Sequence, residues 1–194
     1  WTVQVALDLG VAVPSIAAAL DARVLSSMKP QRVRAATLIV PPPAPTAVTH
    51  DALAELEATV HDALYAAKIL AYAQGMMLVA AASTRYSWAL SPRELARIWK
   101  GGCIIRARFL DTMMRAYERT PSLESLVLDP DIAQTIDALA PRWRKALALA
   151  QSHGVPVPAM SASLAWYDSY RTADLPQNLT QAQRDAFGAH TYQR

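Results

Sequence analysis

The chain has 194 residues, of which 53% are hydrophobic and 18% charged, enough for one substantial core but not for a second complete domain. A single cysteine, Cys103, excludes an intrachain disulfide framework, so a reducing cytoplasm is the expected location. The net charge of +3 comes from 15 arginines against 4 lysines without a dense basic run, which argues against a nucleic-acid-binding protein.

The dominance of alanine and leucine, with apolar residues spaced by three and four, predicts an all-α fold. A first helix is predicted over residues 15–28. Ile16, Leu20 and Val24 share one apolar stripe of this helix because they are four residues apart. Pro30 is expected to end or kink the helix, since proline lacks the backbone donor that a helix interior needs.

A long helix is predicted next, after an exposed connection at PPPAPT, residues 41–46. The pattern over residues 51–83 is at first amphipathic, with apolar positions at Leu53, Leu56, Val60 and Leu64. Its second half is apolar on nearly every face and is expected to be buried. Residues 63–82 have the length of a membrane span, but Lys68 and Gln74 interrupt them, and a lysine at mid-bilayer costs roughly 2.5 to 3.5 kcal/mol. We therefore predict a buried central helix and no membrane span.

A capping box marks the start of a short helix in the second half of the chain. Ser91 is its expected cap, Pro92 occupies the first helical position, and Glu94 is placed to reach back to the cap. This helix is expected to stop at Gly101 and Gly102, and a second helix to follow over residues 103–119.

The remaining helices are separated by prolines and glycines. One opens at Asp129-Pro130, bends or restarts at Pro141 and ends at Gly154. Two more are predicted, over residues 160–171 and over residues 181–187, the second with Gly188 as its C-terminal cap.

Standard catalytic motifs are absent from the sequence: HExxH, CxxC, GxSxG and a phosphate-binding loop with its lysine are all missing. The four histidines lack the spacing of metal ligands, so no metal site is expected; they are at positions 50, 61, 153 and 190. Cys103 is interpreted as an unreactive cysteine among apolar neighbours rather than a nucleophile.

Two arginines and a histidine are candidate binding residues. Arg23 lies beside the apolar stripe of the first helix, seven residues after Ile16, where it needs either a carboxylate partner or a ligand phosphate. The pattern alone favours the carboxylate. Arg184 and His190 flank Gly188, six residues apart, and could project from one helix end, although the pattern alone favours solvation or end-capping.

Three long runs carry a resemblance to a known family: WKGGCIIRARFL (residues 99–110), ALYAAKILAYAQGMMLVAAAS (residues 63–83) and LPQNLTQAQRDAFGAHTYQR (residues 175–194). Over its whole length the chain resembles the C-terminal helical domain of the decarboxylating 6-phosphogluconate dehydrogenase family. The resemblance implies an oxidoreductase of the pentose phosphate pathway that converts 6-phosphogluconate to ribulose 5-phosphate with reduction of NADP. It also implies a cytoplasmic homodimer.

The resemblance assigns roles to the candidate residues. Arg23, in LDARVLSS, matches the arginine that grips the substrate phosphate, while Arg184 and His190, in QAQRDAFGAHTY, match a pair that acts in the partner subunit's site. Ala186 and Asp21 depart from the aromatic residues common in the family, so packing around the phosphate is expected to differ.

The family's N-terminal Rossmann domain, the start of its helical domain, and its catalytic lysine and glutamate all correspond to positions before Trp1. Residues 1–194 are thus expected to be a partial helical domain without catalytic residues. NADP is expected in the intact enzyme, with no cofactor bound to this chain, and the isolated chain is expected to be inactive.

Two other interpretations remain open. In the first, the chain is a non-enzymatic helical dimerisation module, in which Arg23, Arg184 and His190 satisfy local carboxylates and no phosphosugar binds. In the second, it binds nucleic acid, but the lack of clustered lysines counts against this. The partners we predict are 6-phosphogluconate and a second copy of the chain.

Overall fold

The computed structural model describes residues 1–40, 42, 50–102, 107–189 and 191. Within these ranges the chain is helical and has no strand, which confirms the predicted all-α class. The helices are α1 (Thr2–Asp8), α2 (Pro14–Ser27), α3 (Lys29–Leu38), α4 (His50–Arg85), α5 (Pro92–Lys100), α6 (Phe109–Arg119), a 3₁₀ turn (Leu126–Leu128), α7 (Pro130–Ser152), α8 (Pro158–Tyr170) and α9 (Asn178–Gly188).

Helix α4 is the central element, because α7, α8 and α2 all pack against it. Its second half is buried as predicted, with Ile69 and Leu70 fully inaccessible to solvent. The first half differs from the prediction, because three residues of its predicted apolar stripe are exposed to solvent. Leu53, Val60 and Leu64 are 46%, 47% and 58% exposed. The first half of α4 contributes to the core through small side chains instead, since Thr59, Ala63 and Ala66 are buried there.

Helix α4 is also long and apolar enough to cross a membrane by length and composition, over Ala52–Arg85, and no second helix among the described residues meets that test. Half of its most apolar stretch is buried inside the fold, as a core helix requires.

Helices α7 and α8 supply the other large part of the core. Asp129 caps α7 by accepting hydrogen bonds from the backbone N–H groups of Asp131 and Ile132, and Arg119 donates to the same carboxylate at 2.6 Å. The helix continues through Pro141 without restarting, since the loss of one backbone donor is tolerated in a helix of 23 residues. It carries Trp143, which is fully buried, into the centre of the core.

Several predicted boundaries hold and others shift. Ser91 caps α5 by accepting from the backbone N–H of Glu94 at 3.3 Å, as predicted. Glu94 does not return that bond to Ser91, because its carboxylate accepts from Arg93 at 2.8 Å and from Arg97 at 2.6 Å. Helix α6 begins only at Phe109, so the predicted start after Gly102 is too early at residues 107–108, and residues 103–106 lie outside the described ranges.

The first part of the chain is divided more finely than predicted. Helix α1 was not predicted, and the helix over residues 15–28 ends at Ser27, because Met28 leaves the helical conformation with φ −85° and ψ 38°. Pro30 occupies the first turn of α3, where its missing donor is not needed. The connection at residues 41–46 lies outside the described residues apart from Pro42.

Burial raises the pKa of Tyr117, a core residue of α6, to about 12. The pKa of tyrosine in the unfolded chain is about 10, so the folded state holds this proton more tightly. The resulting contribution to the free energy of unfolding is fully present below pH 10. This contribution, on the order of 2 to 3 kcal/mol, should be lost as the pH rises from about 10 to 12. Urea unfolding of wild type and Tyr117→Phe at pH 9 and pH 11.5 measures this difference, and equal losses in both proteins would contradict the prediction.

Candidate functional site

Arg23 lies on the exposed side of α2. Its predicted stripe is not the packed face of the helix, since Leu20 and Val24 are 44% and 54% exposed. The face that packs against α8 instead begins at Ser15, which is 4% exposed, and α2 approaches α8 through small residues. The spacing of the large apolar residues therefore indicates the wrong face of α2. The packed face carries small side chains instead, because these allow two helices to approach more closely.

Arg23 makes no hydrogen bond or ion pair with any described residue, so the carboxylate partner that its sequence position favoured is not found there. This is not unique, because Arg34 and Arg85 are also exposed without a described carboxylate partner. The absence of a partner leaves the guanidinium of Arg23 available to an anion, but it does not by itself identify a site.

Half of the other described arginines form ion pairs on the helix surfaces. Six described arginines lie within 4.0 Å of a carboxylate oxygen: Arg93, Arg97, Arg119, Arg142, Arg144 and Arg171. Arg144 donates to both carboxylate oxygens of Asp168, at 2.9 and 2.5 Å, and these bonds hold the pKa of Asp168 below its usual value. The Arg144 pair joins α7 to α8, and the guanidinium groups of these six arginines are already bound to carboxylates.

Arg184 lies on α9, a helix that buries none of its residues. Leu179 and Phe187 of the same helix are 67% and 93% exposed, and Arg184 forms no ion pair with a described residue. His190 lies outside the described residues. The structure therefore places Arg184 on an exposed helix whose apolar side chains have no cover within the described chain.

The end of α9 differs from the prediction in one residue. Gly188 is the last helical residue, and Ala189 adopts the left-handed conformation with φ 49° that the cap requires. Asp185 holds this turn, because its carbonyl accepts from the N–H of Ala189 at 2.7 Å and its carboxylate from the N–H of Thr191 at 2.5 Å. These two bonds stabilise a conformation that glycine would adopt more easily.

Arg23 and Arg184 are not brought together by the packing of their helices within one chain, since α9 forms no extensive contact with α2. A groove of about 900 Å³ lies beside the first turn of α2. It is mostly apolar, with three aromatic walls and one cation: Trp1, Tyr72, Trp99 and Lys68. Ile16 also lines it, and Arg23 follows Ile16 by nearly two full turns, about 10 Å along the same side of α2.

One polar residue that sequence reasoning did not assign to the site is Gln74. It interrupts the apolar run of α4, and in the sequence it indicates only that this run is not a membrane span. In the structure it is fully buried, and its Oε1 accepts a hydrogen bond from the backbone N–H of Ser15 at the start of α2. No pattern in the sequence could indicate this bond, because 59 positions separate the two residues.

The described residues contain no group of three histidine, cysteine, aspartate or glutamate side chains that could hold a metal ion. Among the described residues, Arg23 and Arg184 are exposed cations without a carboxylate partner, as Arg34 and Arg85 are. Guanidinium groups bind planar or tetrahedral anions through paired N–H donors.

Comparison with known proteins places this arrangement in a family. The chain is 54% identical over 194 residues to "6-phosphogluconate dehydrogenase, decarboxylating" of Synechococcus elongatus, and 51% identical over 198 residues to the chloroplastic enzyme 1 of Arabidopsis thaliana. All of this chain is covered in both cases, but only 41% of each relative. The chain thus spans about two fifths of the length of the relatives it matches.

A solved structure agrees with the sequence comparison. Plasmodium falciparum 6-phosphogluconate dehydrogenase, described in its apo form, with its cofactor NADP⁺ and with its substrate 6-phosphogluconate, superposes with a TM-score of 0.92 at 41% identity. The match covers 100% of this chain and 41% of that one. The family model of the 6-phosphogluconate dehydrogenase C-terminal domain matches residues 1–194, and the chain therefore belongs to the 6-phosphogluconate dehydrogenase family through this domain.

Proposed function

We propose that this chain is the substrate-binding and dimerisation part of a decarboxylating 6-phosphogluconate dehydrogenase. The intact enzyme would oxidise 6-phosphogluconate, release carbon dioxide and form ribulose 5-phosphate while reducing NADP. The observation that carries the proposal is the family match over all 194 residues. Because the relatives are more than twice as long, the Rossmann domain and the start of the helical domain are proposed to lie outside this chain.

Arg23 is proposed to hold the phosphate of 6-phosphogluconate. Its exposure and its lack of a described ion-pair partner support this role, since the fork of N–H donors is not already occupied. A phosphodianion held at one end of the sugar chain also fixes where the other end lies. Binding at Arg23 would therefore orient the carbon to be oxidised, and this is how a remote phosphate contributes to rate.

Arg184 and His190 are proposed to act in the site of the partner subunit, so that each site of a homodimer is shared. Three observations on α9 support this for Arg184. The helix buries no residue, its Leu179 and Phe187 are exposed, and it has no extensive contact with the helix that carries Arg23. A second copy would cover those apolar side chains and bring a second guanidinium to the phosphate.

NADP is proposed as the cofactor of the intact enzyme, where it would accept the hydride. The six glycines of this chain do not form the GxGxxG pattern that a dinucleotide fold uses, so no residue here is assigned to the cofactor. The isolated chain is accordingly proposed to be inactive. A cytoplasmic location is part of the same proposal, although some relatives are chloroplastic.

Light scattering of the purified chain, with and without 6-phosphogluconate, tests the shared site. We expect a dimer that the ligand tightens in wild type but not in Arg184→Ala, while the control Arg34→Ala behaves as wild type. In an assay on the same preparation, the rate of NADPH formation should not increase with the concentration of the chain. A wild-type chain whose mass and affinity are indifferent to 6-phosphogluconate would instead favour the non-enzymatic dimerisation module.

A further inference from the structure

Three buried polar residues join α2, α4 and α8 at one point. Ser15, Gln74 and Ser163 are 4%, 0% and 1% exposed. The N–H of Ser15 donates to Oε1 of Gln74 at 3.0 Å, and the hydroxyl groups of Ser15 and Ser163 lie 2.7 Å apart. The Ser163 hydroxyl also donates to the carbonyl of Ala159 on α8 at 2.7 Å. We call these three residues the polar junction.

The polar junction does not provide the most stable packing for its position. The Nε2 group of Gln74 is buried and has no hydrogen-bond partner among the described residues. Burying an unpaired amide donor opposes folding, so an apolar side chain of similar volume would fit a purely structural role as well. What an apolar side chain cannot supply is the directional bond to the first turn of α2.

Helix α2 needs such a bond because its packed face is smooth. Ala18 and Ala22 continue the face that begins at Ser15, and all three side chains are small. Small side chains form shallow ridges, which limit sliding and rotation of one helix on another less than large ones do. A single buried polar contact can then fix the register of a helix pair.

We propose that Gln74 is a positioning residue for Arg23, and this inference rests on the phosphate-binding role proposed above. Arg23 lies eight residues beyond Ser15, about 12 Å along the axis of α2. With its first turn fixed to α4 by Gln74 and to α8 by Ser163, α2 presents the guanidinium of Arg23 at one place. Without Gln74 the helix would still fold against α8, but Arg23 would be less well aligned with the phosphate.

The test replaces Gln74 with methionine, which has a similar volume and no hydrogen-bond acceptor of comparable strength. We expect the affinity of the chain for 6-phosphogluconate, measured by calorimetry, to fall about five- to tenfold. A change of this size corresponds to the net contribution of one hydrogen bond. Thermal stability should change little, because the unpaired Nε2 is removed while the buried N–H of Ser15 loses its acceptor, so that one unpaired donor replaces another. The matched control is Thr59→Val, which removes a polar side chain of α4 that is 1% exposed and lies outside the polar junction.

A double-mutant cycle separates positioning from a general loss of structure. In an Arg23→Ala background, Gln74→Met should weaken binding no further, whereas an additive loss would overturn the proposal. Hydrogen exchange should also quicken at the amide of Ser15 in Gln74→Met, and unchanged exchange or unchanged affinity would each overturn it. If the wild-type chain binds no 6-phosphogluconate, the proposed function fails, and Ser15 exchange then decides separately whether Gln74 fixes α2.

Discussion

Replacing Arg23 with alanine should reduce the affinity of the chain for 6-phosphogluconate on the order of 100-fold. A guanidinium that grips a phosphate makes two charge-assisted hydrogen bonds, each stronger than a neutral one, and their loss together is worth roughly 2 to 3 kcal/mol. Arg23 is exposed and contributes no described ion pair, so its removal should leave folding unchanged. Titration calorimetry with 6-phosphogluconate measures the effect.

Two comparisons make the Arg23 experiment specific to the phosphate. Arg34→Ala removes another exposed arginine, from α3, and should leave affinity within about twofold. Gluconate, which has the same sugar chain but no phosphate, should bind wild type and Arg23→Ala equally. Arg23 would contribute only general positive charge if Arg34→Ala lowered the affinity for 6-phosphogluconate as much as Arg23→Ala does. The same conclusion would follow if Arg23→Ala lowered the affinity for gluconate by the same factor.

Replacing Trp143 with alanine should destabilise the chain by about 3 to 5 kcal/mol, and on the order of 10 °C in Tm. Trp143 is fully buried on α7, and its ring lies 6.4 Å from that of Tyr167 on α8, so truncation leaves a large cavity between two helices. Urea unfolding gives the free energy of unfolding directly. The exposed Trp88→Ala serves as a control and should cost less than about 1 kcal/mol.

The size of the Trp143 effect can be separated into cavity and polar contributions. The indole Nε1 of Trp143 is buried and has no hydrogen-bond partner among the described residues. Trp143→Phe should therefore cost much less than Trp143→Ala, because it removes the unpaired donor while keeping most of the aromatic volume. Similar losses for both variants would mean that the indole shape, rather than filled volume, determines stability here.

Spacing in the sequence predicted the helices well and predicted their packed faces less well. The long helix of residues 51–83 and the capping at Ser91 depend on local chemistry, so the sequence contains what is needed to predict them. Which side of α2 is buried depends on α8, some 150 residues away. The small side chains of the contact, such as Ala18, carry almost no signal in a hydrophobic pattern.

The candidate site was predicted from resemblance more than from pattern. Residue chemistry alone favoured a carboxylate partner for Arg23, and the family motif pointed to a phosphate instead. Neither the residue pattern nor the resemblance predicted the role of Gln74. A glutamine inside an apolar run shows only that the run is interrupted, until its hydrogen-bond partner is known. Buried hydrogen bonds between distant residues depend on the tertiary fold, and no local feature of the sequence encodes them.

Helix α9 is short and buries none of its side chains. A helix of 11 residues is marginally stable in water on its own, and α9 gains no stability from buried side chains and has no side-chain cap at Gln177. In the proposed dimer, its helical order would be linked to the partner surface that covers Leu179 and Phe187. Part of the free energy of association would go into ordering the helix, so a phosphate bound by Arg184 would increase the helicity of α9 as well as hold two subunits together.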